Sequence, residues 1–135
     1  MGRVSKLFHA IFAVTLAIQL VLITYIIVAF NNPDVPVHFS FTGTADSIGS
    51  ASEYYLLIGI NLFAYMFLSI LGKFAKVKLE YYGSFKNEAE RKHVEQSMKT
   101  KIKIFLQTFG VNFSLFITLL VIFILVTVLN NVSDN

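Results

Sequence analysis

Cysteine is absent from the 135 residues, and acidic and basic side chains together supply only 14% of them. The first absence removes a disulfide scaffold, a thiolate nucleophile and any cysteine-based zinc site. The second, beside a hydrophobic content of 56% and a mean hydropathy of +0.68, excludes an ordinary soluble domain, which carries about 25% charged residues. A chain this short buries roughly two-thirds of its surface and would expose apolar patches it could not keep in solution. Intrinsic disorder is excluded by the same composition. Catalytic signatures are missing too: there is no GxSxG, P-loop, HExxH or Rossmann fingerprint. The chain also shows no repeat and no low-complexity segment.

What is present is apolar length. Leu7–Phe30 (24 residues), Tyr54–Gly72 (19 residues) and Ile104–Leu129 (26 residues) carry no formal charge. About 20 residues of helix cross roughly 30 Å of hydrocarbon, and lipid forces each backbone to pair within its own segment. The expected fold class is therefore an all-α membrane protein: one integral domain over residues 1–135, with three transmembrane helices. The first span exceeds a signal-peptide core and lacks a cleavage site near Phe30, so it is read as retained. Gly2 suggests myristoylation, but Lys6 stands where that motif wants Ser or Thr. No Asp, Glu, Lys or Arg falls inside a span, which argues against a proton relay, an ion pathway or a voltage sensor.

All 11 Lys and Arg fall on one side of the three-span arrangement. Arg3 and Lys6 precede the first span, and the other nine, Lys73 to Lys103, lie in the connection 73–103 with Glu80, Glu88, Glu90 and Glu95. The opposite side holds only the acids Asp34, Asp46, Glu53 and Asp134. The positive-inside rule then expects a multi-pass plasma-membrane protein with a cytoplasmic N-terminus and an extracellular C-terminus. Topology thus accounts for a pI near 9.2. Nucleic acid is not an expected partner, since no stacking platform or groove-reading motif accompanies the charge.

In the outer loop 31–53, Val35, Val37, Phe39 and Phe41 alternate with polar residues, the period of a short strand whose apolar face lies on the membrane or the helix tops. Thr42-Gly43-Thr44 supplies a turn. Ser50-Ala51-Ser52-Glu53 reads as a capping box opening the second helix, and Tyr54 and Tyr55 follow at headgroup depth. In the basic connection, Gly83 and Ser84 form a break, and Asn87 with Glu90 starts a short helix to about Lys101. That connection is either a solvated linker, the simpler reading, or a contact for anionic lipid or a soluble partner.

Gln19, Asn61 and Asn112 are amides set well inside the spans. Each needs a partner in lipid, so they read as interhelical glue or, alternatively, as a polar binding spot. Gly110, Ser114 and Thr118, like Ala13 and Ala17, recur every four residues and form small-residue faces, on which helices approach closely. The face on the third helix is a candidate surface for a homo-oligomer or another membrane protein. His38, Asp34, Asp46 and Glu53 could ligate a metal, but one His among unevenly spaced acids is a poor signal. No metal, cofactor or enzymatic activity is expected. His9 and His93 read as interfacial and solvated.

Pro36, His38, Phe39, Gly43, Asp46, Gly49 and Ser50, followed at once by an apolar helix, resemble a bacterial membrane-protein domain of unknown function. Its pattern is Pro-x-His-aromatic, then Gly, Asp and Gly-Ser at matching distances. This domain forms the N-terminal part of the immunity proteins against the sporulation-delaying toxin, and the likeness covers about Leu7 to Gly72. The chain departs from the pattern at Ala45, Ile48 and Ala51, and the second multi-span module of the longer immunity proteins does not fall within these 135 residues. The resemblance implies a non-enzymatic envelope protein giving immunity to, or sensing, a membrane-active peptide toxin, with those seven residues as the binding motif. The motif is also readable as a compact cap, in which Gly43 and Gly49 relax the backbone and His38 meets Asp46. An accessory or assembly subunit of a larger membrane complex is the alternative function. For the topology, a cysteine placed at Ser40 is expected to react with an impermeant thiol reagent applied to intact cells, and one at Ser84 only after permeabilisation.

Overall fold

In a computed structural model of the chain, residues 2–39, 42, 44–76 and 85–133 are described. The elements follow in the order α1 (Gly2–Ala29), β1 (Asp34–Phe39), β2 (Ala45–Ser50), a 3-10 turn (Ala51–Glu53), α2 (Tyr54–Phe74) and α3 (Glu88–Ser133). All three α-helices are long and apolar enough to cross a membrane. Both prolines, Pro33 and Pro36, lie in the connection between α1 and α2. No span is therefore broken by a missing backbone donor.

α3 is the central element. It packs along both α1 and α2, which touch each other much less. Each helix buries a stripe at helical spacing: Phe12, Thr15, Gln19, Ile23 and Ile26 on α1, and Tyr54, Ile58, Asn61, Tyr65 and Gly72 on α2. On α3 the stripe includes Val111, Ser114, Ile117, Val121, Ile124 and Val128. The large apolar side chains left outside, such as Val28, Leu56 and Phe63 at 70–77% exposure, would be untenable in water and are what a lipid-facing surface requires.

Close approaches set the packing. A Cβ on Gly110 would stand 2.9 Å from the Tyr65 ring, and that ring stacks on Phe12 with centroids 3.8 Å apart. Gly110 is thus the space into which α2 presses its tyrosine. Lower in the bundle, a Cβ on Gly72 would lie 3.2 Å from Lys103 Cα, which brings the α2 and α3 backbones together at their basic ends.

Three expectations change. The helix starting at Asn87 does not stop near Lys101 but continues through the third span as one 46-residue helix, about 69 Å long at 1.5 Å per residue. Its start is as read: Asn87 Oδ1 accepts from Glu90 N–H at 2.8 Å, and Glu90 Oε2 accepts from Lys86 N–H at 2.7 Å. Between Lys101 and Ile104 there is no glycine or proline to interrupt the backbone ladder. The expected break at Gly83 and Ser84 lies outside the described residues.

The second change is a second strand. β2 pairs antiparallel with β1, and Val35 of β1 is buried over the helix tops with Ile23, Ile26 and Ile124. The apolar face of β1 therefore does lie on the bundle. The register runs Pro36↔Ile48, then His38↔Ser47, then Phe39↔Ala45. Val37 is the extra residue on β1 and Asp46 the extra one on β2, two compensating bulges that return the strands to step.

The third change concerns the cap. Ser50 makes no side-chain capping bond, and its hydroxyl pairs instead with Ser52 Oγ at 2.9 Å. The free N–H groups are met from across the connection: Ala51 N–H donates to Pro33 O at 3.0 Å and Ser52 N–H to Asn32 Oδ1 at 3.0 Å. Asn32 can reach because Asn31 and Asn32 both adopt positive φ, 57° and 51°, the left-handed region that asparagine tolerates best after glycine. Asn32→Ala combines the lost cap with left-handed strain and is expected to cost about 2 kcal/mol. Asn32→Gly, which loses only the cap, should cost roughly half that, read as detergent-unfolding midpoints of the two variants.

Candidate functional site

The connection between α1 and α2 builds a lidded cleft at the end of the bundle away from Lys73 and Lys103. Tyr54 is buried at the first turn of α2, and its hydroxyl donates to Pro36 O at 2.6 Å, pinning β1 over the helix. Beneath the hairpin is a cavity of about 670 Å³ lined by Val37, His38, Glu53, Leu56, Leu57 and Leu120, with Tyr54 at its back. Its floor is apolar and its rim carries an imidazole and a carboxylate. Beside it, Thr24 Oγ1 and Tyr55 Oη lie 2.8 Å apart and tie α1 to α2, so Tyr55 links helices while Tyr54 holds the lid.

The structure distributes the seven motif residues as follows. His38 is exposed at the cleft rim, directly opposite Ser47, between the two bulges. Asp46 is next to that position on β2, and Phe39 pairs with Ala45; the side chains of Phe39 and Asp46, and the whole of Gly43, lie outside the described residues. The expected meeting of His38 with Asp46 is therefore not described, although the register brings their backbones close. Thr42 and Thr44, which flank Gly43, approach to 3.2 Å through their hydroxyls. Pro36 supplies the carbonyl that Tyr54 binds. A Cβ on Gly49 would stand 2.6 Å from the Glu53 carboxylate, so the missing side chain there is what lets Glu53 fold over the strand. Ser50 serves the short turn into α2.

A second polar site lies within the bundle. Gln19 Nε2 donates to Ser114 O at 2.9 Å and to Thr118 Oγ1 at 2.9 Å. Asn61 Nδ2 donates to Gln19 Oε1 at 3.0 Å and to Ser114 Oγ at 3.1 Å. Thr15 Oγ1 lies 2.7 Å from Ser114 Oγ. Two residues of α1, Thr15 and Gln19, and one of α2, Asn61, thus converge on the third helix. Asn61 Oδ1 stays buried without a partner. The cluster contains no ionisable group, so it can orient and bind but cannot store charge. Among the described residues, no group of three or more His, Asp or Glu side chains comes together to hold a metal ion.

Of the three amides singled out in the spans, Gln19 and Asn61 are joined here; Asn112 is exposed on the other side of α3. The small-residue face of Gly110, Ser114 and Thr118, expected to serve a second copy or a partner, is turned inward and used by α1 and α2 of the same chain. Ala13 and Ala17 are the outward pair. Thr15 and the buried Gln107 were not foreseen. The buried phase running from Phe12 to Ile26 would have found Thr15, and Gln107 lies seven residues before Ser114, close to the same phase of α3. Compared with known protein families, with curated proteins and with solved structures, the chain matches none. Gln19→Leu would leave Thr118 and Asn61 short of partners, with an expected cost of about 1–3 kcal/mol. Gln19→Leu/Asn61→Leu should cost clearly less than the sum of the single variants, measured by reversible unfolding in mixed micelles.

Proposed function

We propose that the chain is a non-enzymatic, multi-pass protein of a bacterial plasma membrane whose outer cleft engages a membrane-active peptide, and thereby protects the cell from that peptide or senses it. The observation that carries this reading is the cleft under the hairpin, an apolar floor of Leu56, Leu57 and Leu120 with Glu53 and His38 at its mouth. An amphipathic peptide in the outer leaflet presents the complementary surface, apolar residues towards the bundle and cations towards the carboxylate. Support for the orientation comes from the charge partition, with every Lys and Arg on the opposite side as the positive-inside rule asks of a cytoplasmic face. The likeness of the Pro36–Ser50 motif to the toxin-immunity family agrees with this placement of the binding loop.

A second reading, an accessory subunit of a larger membrane complex, is favoured by the exposure of Ala13 and Ala17 on α1, where a foreign helix would meet little steric resistance. A photocrosslinker at Ala17 should then trap a larger protein in native membranes, and under the first reading it should trap only lipid.

The first reading is tested in a peptide-sensitive strain expressing the chain. The wild type should raise survival against at least one cationic membrane-active peptide. Glu53→Lys should erase about tenfold of that protection, the effect of roughly 1.4 kcal/mol in binding. A photocrosslinker at Leu56 should capture the peptide itself. Undiminished killing across a broad panel of such peptides, or full protection by Glu53→Lys, overturns the proposal.

A further inference from the structure

The basic end of the bundle holds a polar pocket that the outer cleft does not explain. α1 and α2 pack along α3 far more than along each other, and in the basic half of the bundle, where Tyr65 reaches across to His9 and Phe12, a groove runs beside this contact. Its upper part, about 370 Å³, is apolar and lined by Phe12, Tyr65, Met66 and Ile70. Its lower part, about 220 Å³, is lined by Lys73, Lys103 and Gln107. The two parts share His9, Ser69 and Ile70, so they form one channel, greasy at one end and cationic at the other. No acidic side chain lines either part among the described residues.

The polar end is built rather than incidental. Gln107 is 1% exposed. Its Nε2 donates to Ser5 Oγ at 3.0 Å, but its Oε1 is buried with no hydrogen-bond partner. An orphaned buried carbonyl of this kind costs about 1–3 kcal/mol unless a donor enters. His9 is held in place by Tyr65, with Nδ1 2.7 Å from the phenol oxygen, and by Ser5 near its other nitrogen at 3.4 Å. The close contact at Gly72 fixes the α2 and α3 backbones where the two lysines project. Glu95, the nearby acid of α3 with an ion pair, is engaged by Lys99 at 3.1 Å.

Depth identifies the ligand's plane. Lys73 is the first charge after the run Tyr54–Gly72, and Lys103 the last before Ile104–Leu129. Both ammonium groups therefore stand where hydrocarbon gives way to headgroups, the level of phospholipid phosphate. From these observations we infer that the channel is a specific site for one anionic phospholipid with a hydroxyl-bearing headgroup, of the phosphatidylglycerol class. The phosphodiester sits between Lys73 and Lys103, a headgroup hydroxyl donates to Gln107 Oε1, and one acyl chain runs along Phe12, Tyr65 and Met66. The lipid then covers the α1–α2 contact of His9 and Phe12 with Tyr65 from the groove side.

The test uses the full chain, purified in detergent and delipidated, with lipid retention read by native mass spectrometry. One phosphatidylglycerol per chain should be retained about tenfold better than phosphatidylcholine, and Lys73→Gln/Lys103→Gln should remove that preference. Circular dichroism should show unchanged helix content in the variant. Phosphatidylmethanol, equally charged but without hydroxyls, should bind more weakly to the wild type and equally well to Gln107→Leu. Met66→Trp, which fills the groove and keeps both lysines, should lower retention of every lipid. Glycerol phosphate and inorganic phosphate, supplied free in millimolar amounts, should neither displace the lipid nor raise the unfolding temperature. Equal retention of phosphatidylcholine, retention indifferent to the lysine pair, or stabilisation by free phosphate matching that by lipid would each overturn the inference.

Discussion

A leucine surrounded by lipid gains little by moving against another leucine, so the bundle must be held by close packing and by hydrogen bonds that lipid cannot offer. The amide and hydroxyl cluster of Gln19, Asn61, Ser114, Thr15 and Thr118 meets that requirement at one level of the bilayer. It also dictates register. Sliding α1 by one helical turn would carry the Gln19 amide away from Ser114 and Thr118 and leave Asn61 short of its partner. The Phe12–Tyr65–Gly110 stack below it acts in the same direction, because only a glycine on α3 admits the ring. α1 and α2 meet each other at these two layers but pack along α3 over much more of their length.

From that asymmetry follow the two open features of the molecule. At one end the hairpin lies over the helix tops, pinned by Tyr54 to Pro36 and by Asn32 to Ser52. At the basic end a groove beside the Phe12–Tyr65 contact ends at Lys73 and Lys103. The ends also differ in chemistry, a carboxylate and an imidazole over leucines at one and ammonium groups beside an unpaired carbonyl at the other. A single chain of modest length thus presents different surfaces to the two leaflets.

The spans were legible because 19 to 26 uncharged residues have few other uses, and β1 because valine and phenylalanine alternate with polar residues. β2 was not, since Ala45, Asp46, Ser47 and Gly49 carry no strand signature and pair only because β1 is already placed. The capping box failed for a related reason: the motif Ser50–Glu53 is present, but acceptors distant in sequence, Pro33 O for Ala51 and Asn32 Oδ1 for Ser52, meet the N–H groups instead. Polar identity marked Gln19, Asn61 and Asn112 equally, yet only rotation about the helix axis decides which amide faces inward. The small-residue spacing misled in the same way, with Ala13 and Ala17 outside and Ser114 inside. The cleft and the groove are lined by residues from elements far apart in sequence, a juxtaposition no local pattern encodes.

The central place of α3 bears on how the protein is made. Asn61 is separated from Ser114 by 53 residues, which ribosomes synthesise in several seconds at about 5–20 residues per second. During that interval the first two spans are already in the membrane, and the Asn61–Gln19 amide contact is the one bond of the cluster they can form alone. The hydroxyls that complete it arrive last, so assembly ends with the nascent third helix sliding into a slot whose polar lining is waiting for it.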